Sequence, residues 1–210
     1  MEITEWYTIK ALSLPSSWIA FLSSMLIVGL LLWKVYRKEV ASIYADAVLT
    51  LILVWKFSVI VTDFSIVIKH PLTILYFNGG MIGFVIGMLF MLATLWKKLR
   101  SRGILEEDLQ ALFLSSILCQ SFYQIMMAIL NDAFLWQKGL TIISFSCWIV
   151  IAFWKRNEGI IWHRQLLILF FFSHMLIALL QPLGIWQLSV LVTLLFIIFR
   201  ILVQPRRNKS

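Results

Sequence analysis

Long apolar runs recur along the whole chain, and short polar segments separate them. A helix needs about 20 mostly apolar residues to cross a bilayer, because each residue adds about 1.5 Å toward a hydrocarbon layer about 30 Å thick. The pattern predicts one membrane domain over residues 1–210, with seven transmembrane helices. Their predicted ranges are 17–36, 41–62, 78–96, 109–130, 139–154, 165–180 and 185–203.

Two segments outside these runs refine the prediction. Residues 63–76 are too interrupted by polar positions to span, and Pro71 disfavours a helical conformation at His70. The first fifteen residues carry Glu2 and Glu5, where a signal peptide would be basic. We therefore expect the first apolar run to be retained as a span.

The composition agrees with a bilayer as the solvent. Apolar residues make up 61% of the chain and charged residues 13%, against roughly 45–50% and about 25% in soluble domains. Lipid cannot satisfy open backbone groups, and the alternation of a barrel strand is missing, so the fold class is all-α and polytopic. The net charge of +8 invites a nucleic-acid partner, but the distribution of the basic residues argues against one.

Lysine and arginine collect in alternate connecting segments. One side of the predicted membrane receives fourteen of them: Lys34, Arg37, Lys38, Lys97, Lys98, Arg100, Arg102, Lys155, Arg156, Arg164, Arg200, Arg206, Arg207 and Lys209. The other side receives three: Lys10, Lys69 and Lys138. Cytoplasmic segments carry the excess of basic residues, so the C-terminus is predicted inside and the N-terminus outside.

Polar residues inside the predicted spans are the candidate functional residues. Lys56 lies in the second span and His174 in the sixth, while Gln120, Tyr123 and Gln124 form a polar stripe on the fourth. Asn78, Gly79 and Gly80 open the third span at a similar depth. Together these eight positions predict an outward-facing polar cavity, in which Lys56 approaches Gln120, Tyr123 or Gln124.

Structural roles for the same residues remain open alternatives. Lys56 can extend toward the outer head groups, with Asp63 as a partner. The stripe on the fourth span can supply hydrogen bonds between helices, and His174 can be part of the same packing. Asp46 can be solvated or can pair with Arg37 or Lys38.

The chain lacks the usual motifs of cofactor, metal and hydrolase sites. It contains no phosphate-binding glycine loop, no HExxH spacing and no G-x-S-x-G element. We therefore expect no cofactor and no metal site. Asp46 is the one carboxylate inside a predicted span. Proton-coupled transporters use chains of ionisable residues within the membrane, so this function is disfavoured.

Three motifs in one order resemble prolipoprotein diacylglyceryl transferase. They are VWKFS at 54–58, HPLTIL at 70–75 and FNGGM at 77–81, followed by a basic segment from Lys97. The resemblance covers about residues 46–103. It implies a seven-span protein of the bacterial plasma membrane that acts on phosphatidylglycerol and on the lipobox cysteine of lipoproteins.

The chain departs from that family at the residues that carry its chemistry. Lys56 stands at the position of an arginine, and 84–86 replace a His-Gly-Gly element. In the fourth span, 120–124 are not followed by the family's acid. We expect a non-catalytic relative, with no catalytic residue assigned, that binds a membrane lipid such as a phospholipid, a lipoprotein or another membrane protein through the cavity. The alternatives are a glyceryl or acyl transferase with a site rebuilt on Lys56 and His174, and a small transporter or channel.

Overall fold

A computed structural model describes residues 3–9, 12–102 and 106–203, which are almost entirely helical. In chain order its elements are β1 (Trp6–Ile9), β2 (Leu12–Pro15), α1 (Ser16–Val35), α2 (Lys38–Phe57), α3 (Val59–Thr62), α4 (Phe64–Lys69), α5 (Thr73–Tyr76), α6 (Gly80–Arg102), α7 (Glu106–Leu130), α8 (Leu135–Trp154), α9 (Ile160–Leu179), a 3₁₀ turn (Gly184–Trp186) and α10 (Leu188–Leu202).

Six stretches of helix within the described residues are long and apolar enough to cross a membrane. They are Ser16–Val35, Lys38–Thr62, Gly80–Arg100, Glu106–Leu130, Leu135–Trp154 and Ile161–Leu179. Many of their large apolar side chains are exposed, including Leu26 at 66% and Ile143 at 67%. Exposure of this kind is costly in water and favourable in lipid. The chain is an all-α polytopic membrane protein.

The described residues form two compact units. The first contains the hairpin of β1 and β2 together with α1 and α7 to α10, and the second contains α2 to α6.

Glycine spacing explains how α2 and α6 pack in the second unit. Gly79 lies just before α6, and Gly83 and Gly87 follow within it, four residues apart on one side of the helix. A Cβ at Gly79 or Gly83 would overlap the Ser58 hydroxyl, and a Cβ at Gly87 would lie 3.0 Å from the Leu51 carbonyl oxygen. Small residues allow helix backbones to approach this closely in lipid, where dispersion contacts replace the hydrophobic effect as the main attraction.

Small residues also allow α1 to pack closely against α7 in the first unit. The buried side of α1 begins with three small residues, Ser16, Ala20 and Ser24, which again recur every four positions. Ala20 packs in a cluster with Met127 and Ala128 of α7. At the start of α1, the Ser16 hydroxyl donates a 2.6 Å hydrogen bond to Asn131 Oδ1, just after the end of α7.

Contacts at the two ends of the first unit show that its long helices alternate in direction. At one end, Gln137 Nε2 near the start of α8 donates to the Leu180 carbonyl after α9, and Gln187 before α10 donates to Gln181. At the other end, Arg37 after α1 lies 3.7 Å from Asp108 at the start of α7. The Arg200 guanidinium near the end of α10 lies 4.9 Å from the Phe113 ring of α7.

The structure corrects several predicted boundaries. The fifth span begins at Leu135 instead of residue 139. The second span extends to Thr62 and contains a turn at Ser58. The predicted last span, 185–203, contains a helix of 15 residues, which is about 22 Å long. Pro182 and the positive φ of 54° at Gly184 delay its start. The β-hairpin was not predicted from the sequence.

Candidate functional site

A buried hydrogen-bond network joins α7, α9 and α10 within the first unit. Gln124 Nε2 lies 2.9 Å from His174 Nε2 and donates to the Ser189 hydroxyl at 2.8 Å. His174 Nδ1 lies 3.0 Å from the Thr193 hydroxyl. Gln120 Nε2 donates to the Ser189 carbonyl at 3.2 Å. All five side chains are buried, and Gln124 and His174 are each only 1% exposed.

Helical spacing brings these side chains together. Gln120 and Gln124 are four residues apart on α7, and Ser189 and Thr193 are four residues apart on α10, so the members of each pair lie on the same side of their helix. His174 projects between them from α9. Its ring packs edge-on against Phe145, with 5.4 Å between the ring centroids, and lies 5.9 Å from the Phe170 ring.

With the Gln124 amide oriented as in the structure, the donors and acceptors agree with one arrangement of protons. Because the Gln124 amide nitrogen only donates, His174 Nε2 accepts and the ring proton lies on Nδ1. His174 Nδ1 then donates to Thr193, whose hydroxyl donates to the Ser189 carbonyl at 2.9 Å. Both ring nitrogens of His174 are therefore engaged between helices, in the neutral form of the side chain.

One polar atom of the network has no hydrogen-bond partner in the structure. Gln124 Oε1 is buried, while the nitrogen of the same amide makes two hydrogen bonds. A buried unsatisfied acceptor costs roughly 1–3 kcal/mol. A ligand that donates a hydrogen bond to Gln124 Oε1 would remove this energetic cost.

Tyr123 contributes to a different part of the first unit. Its ring is half-buried against the cluster of Ala20, Met127 and Ala128, between α7 and α1. The residues of the predicted polar stripe therefore do not all face the same neighbour, because the side chains of residues 123 and 124 point in directions about 100° apart around the helix axis. Gln120 and Gln124 join the network, and Tyr123 joins the apolar contact.

The remaining candidate residues belong to the second unit, where the glycine segment has a packing role. The Asn78 side chain accepts a 2.8 Å hydrogen bond from the Gly80 amide. The Gly79 amide donates to the Trp55 carbonyl, and the Trp55 indole donates to the Gly80 carbonyl at 2.9 Å. Gly80 also has a positive φ of 57°, which favours glycine. These contacts join the start of α6 to the end of α2.

Lys56 lies near the end of α2 and is half-buried. It belongs to the second unit, whereas Gln120, Tyr123 and Gln124 belong to the first. The approach of Lys56 to those residues, and a cavity that includes it, stay predictions.

Asp46 pairs with Lys98, a partner that was not suggested from the sequence. Its carboxylate accepts a hydrogen bond from the Lys98 ammonium near the end of α6. Arg37, one of the two suggested partners, lies beside Asp108 within the first unit. The suggestion considered only residues close in sequence, whereas the antiparallel packing of α2 on α6 brings position 98 to the level of position 46.

Sequence reasoning missed Ser189 and Thr193, although the four-residue spacing that singled out Gln120 and Gln124 also applies to them. It also missed a second polar cluster beyond the ends of α9 and α10. There, Gln181 Nε2 donates to the Thr141 hydroxyl at 3.1 Å, and Gln187 donates to Gln181. The available signal in the sequence was the pair of glutamines, Gln181 and Gln187, between two apolar runs.

Within residues 3–9, 12–102 and 106–203, no group of histidine, cysteine and acidic side chains is arranged to hold a metal ion. Comparison of the chain with protein-family models, curated proteins and solved structures finds no match.

Proposed function

We propose that this chain is a non-catalytic multi-pass protein of a bacterial plasma membrane that binds a membrane lipid carrying a free hydroxyl group. The observation that carries this proposal is the buried, unpartnered Gln124 Oε1 beside His174. A lipid hydroxyl can supply the missing donor from within the membrane.

The proposed topology has seven spans, an external N-terminus and a cytoplasmic C-terminus. The alternating directions of the helices in the first unit support α10 as the seventh span. Its 15 residues and the three of the preceding 3₁₀ turn together rise about 28 Å, close to the hydrocarbon thickness. The fourteen-to-three division of basic residues supports the orientation.

Cysteine labelling in intact cells tests this topology. In a chain with Cys119 and Cys147 replaced by serine, we expect a membrane-impermeant maleimide to label Asp132→Cys from outside and to label Arg156→Cys only after lysis. A C-terminal fluorescent protein should be bright and a C-terminal alkaline phosphatase inactive. An active phosphatase would mean that α10 does not cross the membrane.

The proposed lack of catalysis is supported by the way in which His174 is held. A general base needs a ring nitrogen that reaches the substrate proton. Both nitrogens of His174 are hydrogen-bonded to Gln124 and Thr193. No carboxylate belongs to the network to orient or polarise the ring. The resemblance to prolipoprotein diacylglyceryl transferase is proposed to extend to the fold and to the lipid class, but not to the reaction.

Gln124 lies in the half of α7 that is closer to the predicted outer surface. Gln124 lies six residues before the end of α7, or about 9 Å of helix rise from that end. A lipid with hydroxyls in its head group, such as phosphatidylglycerol, can donate to Gln124 Oε1, whereas phosphatidylcholine has no hydroxyl donor. Gln124 is only 1% exposed, so the hydroxyl must enter between helices.

Native mass spectrometry on the detergent-purified full chain tests the proposed binding. We expect phosphatidylglycerol to bind at least about fivefold more tightly than phosphatidylcholine, which corresponds to about 1 kcal/mol for one hydrogen bond. Gln124→Leu should remove this preference because it removes the acceptor. Gln110→Leu is the matched control, since Gln110 lies on the same helix and its side chain donates a hydrogen bond to Glu106, one turn away.

A transfer assay on the same preparation separates binding from catalysis. With phosphatidylglycerol and a lipobox peptide we expect no diacylglyceryl product above the background without protein. Product formation would establish the rebuilt transferase instead. Equal binding of the two lipids, unchanged by Gln124→Leu, would overturn the lipid proposal and leave a lipoprotein or another membrane protein as the partner to be tested.

A further inference from the structure

The N-terminal hairpin is fixed to one end of the first unit by hydrogen bonds. Asn131 Oδ1 accepts from the Thr4 amide at 2.9 Å and from the Ser16 hydroxyl at 2.6 Å. The Asp132 amide donates to the Thr4 hydroxyl at 2.7 Å, and the Tyr7 hydroxyl donates to the Leu130 carbonyl at 3.1 Å. These contacts position the hairpin directly beside the connection between α7 and α8.

The register of the hairpin determines which side chains point away from these contacts. Trp6 pairs with Pro15, Tyr7 with Leu14 and Thr8 with Ser13. Side chains of paired residues lie on the same side of a sheet and alternate along each strand. Tyr7 contacts the end of α7, so Trp6 and Thr8 lie on the opposite side, where the indole is 63% exposed.

Other large apolar side chains are exposed at the same end of the first unit. Phe134 is 71% exposed, Leu135 86% and Trp136 56%, at the start of α8. Trp186, in the 3₁₀ turn before α10, is 87% exposed. At the opposite end of α8, Trp154 is 78% exposed. Trp136 and Trp154 are 18 residues apart, or about 27 Å along the helix.

The distance between Trp136 and Trp154 indicates that lipid covers the exposed side chains. Tryptophan collects at the two boundaries of the hydrocarbon layer, which is about 30 Å thick. Trp136 and Trp154 therefore mark the two boundaries on α8. Because the hairpin is bonded to residues 130–132, just before Trp136, it lies at the level of one boundary, and Trp6 continues the exposed apolar surface there.

We infer that the N-terminal hairpin is an interfacial anchor, with the side that bears Trp6 and Thr8 lying on the head-group region of the membrane. The partner is the lipid surface, and the attraction is apolar. The described charged residues at this end are Glu5, Asp132 and Lys138, which nearly balance. Anchoring should therefore not depend on anionic lipid.

Spin-label accessibility on the full chain in lipid nanodiscs tests this inference. A nitroxide is attached at Thr8→Cys in a chain with Cys119 and Cys147 replaced by serine, and Asn157→Cys, exposed after α8, is the aqueous reference. We expect the Thr8 label to be less accessible to a water-soluble nickel chelate, and more accessible to oxygen, than the Asn157 label. The difference should be the same in phosphatidylcholine and in phosphatidylglycerol nanodiscs.

Two variants separate anchoring from folding. Trp6→Ala should raise the nickel accessibility of the Thr8 label toward that of the Asn157 label, because the indole is removed while the hydrogen bonds to Asn131 remain. Asn131→Ala should raise it as well, by releasing the hairpin from α7. A Thr8 label as accessible as Asn157 in the parent chain, no response to Trp6→Ala, or protection only in phosphatidylglycerol would each overturn the inference.

Discussion

Gly83→Ala should destabilise the second unit by about 1–3 kcal/mol, the usual cost of adding a methyl group to a tightly packed contact. The new Cβ would overlap the Ser58 hydroxyl, and it would lie 3.1 Å from Ser58 Cβ and 3.5 Å from Trp55 Cδ1. The Ser58 hydroxyl cannot rotate away without losing its 2.7 Å hydrogen bond to the Trp55 carbonyl. Steric trapping in bicelles would measure the change in the free energy of unfolding.

Two further variants locate the cause of this effect. Gly139→Ala is the matched control, since a Cβ on that glycine of α8 would have no neighbour within 4 Å. We expect it to be neutral or slightly stabilising, because alanine favours a helix by about 1 kcal/mol over glycine. Ser58→Ala should recover part of the loss in Gly83→Ala. An equal loss at residues 83 and 139 would contradict the packing explanation.

His174→Ala should destabilise the first unit by about 3–5 kcal/mol. Truncation leaves a cavity between Phe145 and Phe170, and large-to-small changes of this size cost several kcal/mol. It also leaves the Gln124 amide without one acceptor and Thr193 without one donor. The free energy of unfolding, measured as for Gly83→Ala, gives the size of the loss.

His70→Ala and His174→Phe are the informative comparisons for that change. His70 is exposed, and the Thr73 hydroxyl bonds only to its backbone carbonyl, so we expect an effect within about 0.5 kcal/mol. His174→Phe fills the space but makes no hydrogen bonds, and it should lose about 1–3 kcal/mol. If His174→Ala is as well tolerated as His70→Ala, the network does not hold α7, α9 and α10 together.

The glycine contacts also bear on the family resemblance. The FNGGM motif at 77–81 carries much of that resemblance, and here Gly79 and Gly80 join the start of α6 to Trp55. Close packing of two membrane helices requires small residues in any family. The resemblance therefore stays a prediction, and the transfer and lipid-binding experiments test its functional part.

The sequence by itself determined the fold class and most of the long helices. A bilayer imposes a minimum length of apolar residues and forbids open backbone groups, and both constraints act along the chain without reference to neighbouring elements. Six of the seven predicted spans correspond to helices that are long enough to cross. The seventh helix is shorter than predicted, because residues 184–186 form a 3₁₀ turn after Pro182. The apolar character of this segment had suggested that it belongs to the helix.

Only the tertiary structure decided which polar residues meet. Periodicity identified Gln120 and Gln124, but it could not separate them from Tyr123, nor say that His174 engages Ser189 and Thr193 through contacts between helices. In the same way, the hairpin is held against the first unit by Asn131, more than a hundred residues later, which accepts hydrogen bonds from Thr4 and Ser16. Its strands of four residues are too short to be stable alone, so no local pattern could predict them.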